Sequence, residues 1–429
     1  VSLIESFLAL LTRDNVAMSI SAPGYQGKMR EPWFGVSYDL EQGEIPLGKV
    51  DASELALPKE NPFLPRSLDL VADDSKGPKA LISTDEIEIY LDTDLEFNVP
   101  RSSMHVSLRN EGGFIDLADV ANSQLYSRLV KDDLNAIAYP ALLAGVNYDL
   151  SVPPKGFSIS VGGYSDKQLT LFEEVLGRLL TLEVLDDRFK IIKSELIKDL
   201  TNVAKNRPFR QSYQRLQNEL LDSSWAPEDV IGAVKEITPK SLFGWRNDVL
   251  EAVSVQGLIH GNVTEDTVFR LTEVLNEHLK ISNVSAVTPM VSEVEGASSL
   301  LLNIDHNDAS MVLYVQDEGS SFGDRAKSAL LKHLIAPSFF SSLRTEQQLG
   351  YVVSAVNTQF KDRGGISFVI QSPVVGPDEL RDKTLVFMAN QERVLAEMSE
   401  KAFDENKVGL INKLTQRDKN LSQRTSRYW

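Results

Sequence analysis

Two residues carry the most chemical promise in this chain: Arg344 and Tyr351. They bracket the run Leu343-Arg344-Thr345-Glu346-Gln347-Gln348-Leu349-Gly350-Tyr351, where a helix pattern gives way to a strand pattern. A guanidinium and a phenol can both donate hydrogen bonds to an oxygen that is gaining negative charge. The plainer alternative is an exposed arginine at a helix end and an amphipathic tyrosine packed on a strand. Residue type alone leaves both open.

Other chemistries find less support. A catalytic zinc takes three protein ligands, typically two histidines four apart on one helix and a carboxylate from elsewhere. The five histidines are His105, His260, His278, His306 and His333, and none lies four residues from another. Neither His-Glu-x-x-His nor its inverse occurs, so no metal ligand is expected in this chain. Asp305-His306-Asn307-Asp308 reads as a solvated loop before a strand. No Gly-x-Ser-x-Gly elbow is present. Gly162-Gly163 and Gly364-Gly365 sit in or beside hairpins, the wrong place for a phosphate cradle. The Lys/Glu-rich stretches at 186–206 and 400–420 read as solvated helix faces.

The elements that must position Arg344 and Tyr351 follow from periodicity. Residues 1–22 suggest a helix end and then a strand, with Val16, Met18 and Ile20 alternating. Pro23, Pro32, Pro46, Pro58, Pro62 and Pro65 mark 23–65 as an extended connector. Met104, Val106 and Leu108 alternate as a strand. Asp116 is placed to cap a helix carrying Val120, Leu125 and Leu129. A second helix ends at Gly145, a strand follows, and Phe157, Ile159 and Val161 form another. Asp166 opens the next helix, long polar-faced helices cover 183–222, and a strand at 253–259 leads to a helix from about Thr264.

The pattern then returns. Met311, Leu313 and Val315 alternate, a helix starts near Phe322 and breaks near Pro337, and strands follow at 351–356 and 366–370. A helix with Leu385, Met388, Leu395 and Met398 comes next. Gly145 and Gly350 occupy equivalent points in the two copies. Strands grouped beside grouped helices imply an α+β fold of two homologous domains, each a largely antiparallel sheet with helices on one face. The expected division is 1–49 as the end of a preceding domain with a Pro-rich linker, 50–288 as one domain, and 289–429 as its shorter copy. The chain opens on Val1 and its second copy stops early, so both ends are expected to be cut.

Alignment of the copies also separates scaffold from chemistry. With Gly145 set on Gly350, Tyr139 falls opposite Arg344 and Val146 opposite Tyr351. The glycine serves the turn in both copies, whereas the first copy does without the Arg and the Tyr.

Composition sets bounds. At 429 residues the chain exceeds one ordinary core. A net charge of −17 argues against nucleic acid as a partner. The absence of cysteine removes disulfides and thiolate chemistry. No window approaches 18 apolar residues, so no membrane span is expected.

The run from Arg344 to Tyr351 resembles the fourth-domain signature of the pitrilysin and insulin-degrading enzyme family of zinc metallopeptidases with an inverted motif. Glu31-Pro32-Trp33-Phe34-Gly35 resembles the segment before that family's interdomain linker. The start of its C-terminal half resembles Leu57-Pro58-Lys59-Glu60-Asn61-Pro62-Phe63-Leu64-Pro65. Leu142 to Tyr148, Gly163 to Gln168 and His260 to Thr264 resemble third-domain landmarks. The resemblance implies a mitochondrial-processing-peptidase-like fold and an enzyme of two homologous halves closed around a chamber. It further implies that zinc and its ligands lie in an N-terminal half absent here. Arg344 and Tyr351 would reach substrate at that zinc, and Phe340 would line the pocket beyond the scissile bond. The chain is then the substrate-enclosing half of a metalloendopeptidase, inactive alone. Peptides and the N-terminal half would be its partners, and a homodimer is allowed. The alternative is a non-catalytic partner subunit or peptide-binding module. Bacterial relatives are periplasmic and eukaryotic ones mostly cytosolic; the expectation leans to a bacterial periplasm.

Overall fold

A computed structural model describes residues 2–43, 53, 59–72, 77–285 and 287–429. The chain divides into two compact units, Val1–Glu60 and Asn61–Trp429. The first contains helix α1 (Ser2–Leu8) and a small hairpin of β1 (Met29–Arg30) and β2 (Ser37–Tyr38). Val16, Met18 and Ile20 are exposed in irregular chain, so the strand expected there does not form. Alternation makes a strand only where a partner strand and an apolar surface exist, and Val16–Ile20 find neither among the described residues. The connector also holds more structure than its prolines suggest. The Glu31 carboxylate accepts from the backbone N–H groups of Trp33 and Phe34, at 2.8 and 2.6 Å, and closes the hairpin. Pro46, Leu57, Pro58 and the expected boundary at 49/50 lie outside the described residues.

The second unit carries two sheets. Strands β3 (Lys79–Ser83), β4 (Ile87–Thr93) and β5 (Arg101–Asn110) precede helices α2 (Leu117–Asp133) and α3 (Asn135–Leu143). The hairpin β6 (Val146–Ser151) and β7 (Gly156–Tyr164) follows, then α4 (Gln168–Thr181), α5 (Asp186–Val203) and α6 (Pro208–Leu220). Next come α7 (Pro227–Glu236), α8 (Pro239–Val249), β8 (Val253–Gly261) and α9 (Glu265–His278). The order in the sheet is β3-β4-β8-β5-β7-β6, antiparallel except between β4 and β8. Met104, Val106 and Leu108 on β5 and Phe157, Ile159 and Val161 on β7 face the helices and are buried. Alternate residues such as His105, Gln256 and Ser160 line the opposite, polar face.

The second sheet is smaller. It comprises β9 (Ala309–Gln316), β10 (Val352–Phe360) and β11 (Arg363–Ser372), in the order β10-β11-β9. Helices α10 (Phe322–Phe340), α11 (Pro377–Ala396), α12 (Glu400–Leu414) and α13 (Leu421–Tyr428) complete it. The break expected at Pro337 is absent, because α10 runs through it. Proline removes one helical donor, but Ile335 and Phe339 on either side are buried in the core and hold the turns in place. Asp116 stands at the N-cap of α2 without a side-chain cap bond. Asp166 sits in a 3-10 turn before α4, where its carboxylate accepts from the Arg66 backbone N–H at 2.8 Å.

One helix of each copy, α6 in the first and α13 in the second, crosses to the other copy's sheet. The α6 helix packs on β9 and β11, with Ser212 and Ser310 hydroxyls 2.8 Å apart and Tyr213 beside Phe360. The α13 helix packs on β5 and β8 of the first sheet. There the Thr425 hydroxyl shares a 2.7 Å hydrogen bond with His260 Nδ1, and Trp429 stacks on His105.

Gly145 and Gly350 both stand between a helix and the first strand of a hairpin, yet for different reasons. Gly145 has a left-handed backbone, φ +78°. Gly350 does not; a Cβ there would lie 1.9 Å from the Gln371 carbonyl oxygen. At that joint the left-handed residue is Gln348, φ +53°.

Candidate functional site

The site is built from the helix outward. Ile335, Phe339 and Leu343 recur four apart along α10 and its extension, and all three are buried. Phe339 meets Phe368 of β11 and Phe387 of α11, each at 5.1 Å between ring centres. These contacts fix the end of α10 in rotation. Phe340 and Arg344 therefore fall together on the outer side. The helix does not stop at Phe340 but widens into a π turn, Ser341–Glu346. Such a turn inserts a residue into the ladder and is common where a side chain must be re-aimed. The backbone N–H of Leu349 then donates to the Leu343 carbonyl at 3.0 Å. Gln348 in the left-handed region turns the chain into β10, a conformation that costs a non-glycine residue about 1–2 kcal/mol.

This arrangement gathers the three residues singled out from sequence. The Arg344 guanidinium carbon lies 5.0 Å from the Phe340 ring centre and 4.9 Å from that of Tyr351. Its Nε donates to the Tyr351 carbonyl oxygen at 3.3 Å. Each cation–ring contact is worth about 0.5–1 kcal/mol at an exposed position. Arg344 is half-buried, Phe340 is 43% exposed and Tyr351 is 81% exposed. Tyr351 is therefore not packed into a strand core. Its counterpart Val146 is fully buried, so the two joints share a backbone path and differ in what they display. The π turn and the left-handed Gln348 left no signal in the sequence; the Gly350 that follows them did.

Among the described residues no three His, Asp or Glu side chains gather as a metal site. His260 and His105 are engaged by α13. Within the Asp305–Asp308 turn, His306 Nδ1 accepts from the Asp308 backbone N–H at 2.9 Å, and Gln371 holds the Asp308 carboxylate at 2.7 Å. The donor set for zinc is thus not met by these residues. No helix among them is long and apolar enough to cross a membrane.

Two largely antiparallel sheets with helices packed on them, both within Asn61–Trp429, define a pitrilysin-type fold. Pitrilysin itself shares it, with a TM-score of 0.79 at 21% identity over 86% of this chain and 40% of that one. A protease from Helicobacter pylori aligns with a TM-score of 0.62 at 14% identity, covering 80% of this chain and 85% of that one. The chain belongs to the peptidase M16 family: residues 1–233 match the description "middle or third domain of peptidase M16". Residues 330–429 match "PQQ synthase PqqF-like, C-terminal lobe domain 4". The insulin-degrading enzyme of Homo sapiens is 26% identical over all of this chain and 44% of its own length. A nardilysin-like protein of Arabidopsis thaliana is 23% identical, also over 100% and 44%. The chain thus spans a little under half the length of these two relatives, 44% of each.

Proposed function

We propose that these residues are the substrate-enclosing half of a zinc metalloendopeptidase acting on peptides and small proteins. In this reading Arg344 and Tyr351 donate hydrogen bonds to the carbonyl oxygen of the scissile amide as it becomes an oxyanion, and Phe340 lines the pocket beyond that bond. The observation that carries the reading is the stacking of Arg344 between two exposed rings. Stacking fixes a planar donor group before substrate arrives, and preorganised donors are what stabilise developing charge. A residue serving only solubility has no need of such fixing. The residues present do not fit zinc, so no step here passes through it; its ligands are proposed to lie in an N-terminal half, the chain's expected partner. The division at 50–288 and 289–429, and a periplasmic site of action, are proposed with it.

The test is kinetic. Tyr351→Phe in the full-length enzyme is expected to lower kcat about 10²-fold while KM moves little, as for other single oxyanion donors. Arg344→Lys keeps the charge but loses the planar fork, and a similar loss is expected. The chain assayed alone is expected to turn over no fluorogenic peptide. Unchanged kcat in both variants would assign the two residues to packing.

A further inference from the structure

The six-stranded sheet has two edges, β3 and β6, and they are finished differently. The β3 edge is five residues long, begins with Lys79 and carries a register shift between Ala80 and Ile82. Short length, lysine and bulges are the usual means of blunting an edge. The β6 edge is six residues long and carries neither a lysine nor a register shift. Its register with β7 runs unbroken from Val146↔Gly163 to Ser151↔Ser158. The Tyr164 backbone N–H donates to the Gly145 carbonyl at 3.1 Å, which fixes the phase of the ladder. Pairs 147↔162, 149↔160 and 151↔158 are then the hydrogen-bonded ones. The N–H and C=O groups of Val146, Tyr148 and Leu150 consequently point away from β7.

The approach to this edge is apolar. Helix α3 leads into β6 through Ala144 and Gly145 alone. Its final turns display Tyr139, Leu142 and Leu143, which are 64%, 59% and 68% exposed. Three large apolar side chains exposed together beside a strand edge that is open among the described residues make a patch of the kind that marks an interaction site. The open backbone groups specify its occupant, since only an extended polypeptide matches donors and acceptors at strand spacing.

We infer that β6 takes an extended peptide as a seventh strand, anchored by apolar side chains on Tyr139, Leu142 and Leu143. This is a second grip on substrate, apart from Arg344 and Tyr351. It rests on the peptide-handling reading above, and its test uses no turnover, so the two can fail separately. Backbone pairing supplies affinity without sequence preference, while the anchor favours large apolar side chains.

The probe is a fluorescein-labelled nine-residue peptide in which leucine and threonine alternate, read by anisotropy against the 429-residue chain. A strand at an edge presents alternate amides to it. N-methylation of one alternating set of amides is therefore expected to abolish binding, and methylation of the other set to be tolerated. The double variant Leu142→Asp, Leu143→Asp is expected to bind at least tenfold more weakly with an unchanged melting temperature, whereas Val374→Asp, at an exposed apolar residue away from β6, binds as the parent does. No binding by the parent chain, equal effects of the two methylated peptides, or unweakened binding by the double variant would each overturn the inference. So would a chain dimer that the double variant dissolves and the peptide does not compete with, because the occupant would then be a second copy.

Discussion

At Leu343 and Tyr351 one turn of chain divides its work between burial and display. Leu343 is fully buried beneath the stacked Arg344, and Tyr351 stands in solvent. Leu343→Ala is expected to cost about 2–5 kcal/mol of stability, read by thermal or denaturant unfolding. Because Leu343 sets the rotation of the turn that carries Arg344, the same variant should lower kcat even at a temperature where it remains folded. Tyr351→Phe removes an exposed hydroxyl, so its melting temperature should not move. A variant pair in which stability and turnover fell together at both positions would contradict this division.

At the scale of elements, glycines supply a paired test. Gly350→Ala would drive a Cβ to 1.9 Å from the Gln371 carbonyl, so β10 must shift and stability must fall. Gly177 lies within α4 with nothing within 4 Å of an added Cβ. There alanine should raise stability by roughly 1 kcal/mol, the difference in helix propensity. Melting temperatures of the two variants should move in opposite directions. The same elements show what the sequence could and could not tell. Strands with one buried face announced themselves by alternation, as in Met104–Leu108, and so did helices with one apolar stripe. Val16–Ile20 alternates equally well but has no surface to pack on, and forms no strand. Pro337 promised a break that tertiary burial of its neighbours overrode. Arg344, Tyr351 and Phe340 were legible as residues. Their stacking was not, because it depends on a π turn and a left-handed glutamine that follow from packing around Leu343 and Leu349.

For the whole molecule, the two sheets differ in depth of support. The first has six strands and helices α2, α4, α7 and α9 in one buried cluster; the second has three strands and a smaller cluster. Hydrogen exchange should therefore be slower in β4, β5 and β8 than in β9–β11, and equal protection would contradict the comparison. The seat of α13 adds a pH dependence. Burial, aided by Arg424, holds His260 below its ordinary value of 6.5 despite Asp92, Asp94 and Asp418 nearby. Burial lowers His105 likewise. A lowered histidine takes up less proton docked than released, so docking is unpenalised at neutral pH and weakens as pH falls below about 6.5. Arg424 is also paired with Glu96 across this contact, at 2.7 Å. Protection of the α13 amides, corrected for the slower intrinsic exchange at lower pH, should fall from pH 8 to pH 5.5, while that of α6, seated by Ser212 and Tyr213, should not respond. The crossing of α6 and α13 has one more consequence. Two bodies that each clasp the other cannot swing apart about a single linker, since any rotation must unseat both arms at once. The paired sheets should thus travel as one rigid body, and under the proposed function the opening that admits a substrate is expected to be hinged elsewhere. A cut in the chain between α12 and α13 should leave the two pieces bound together, as a clasp outlasts the cord it was strung on.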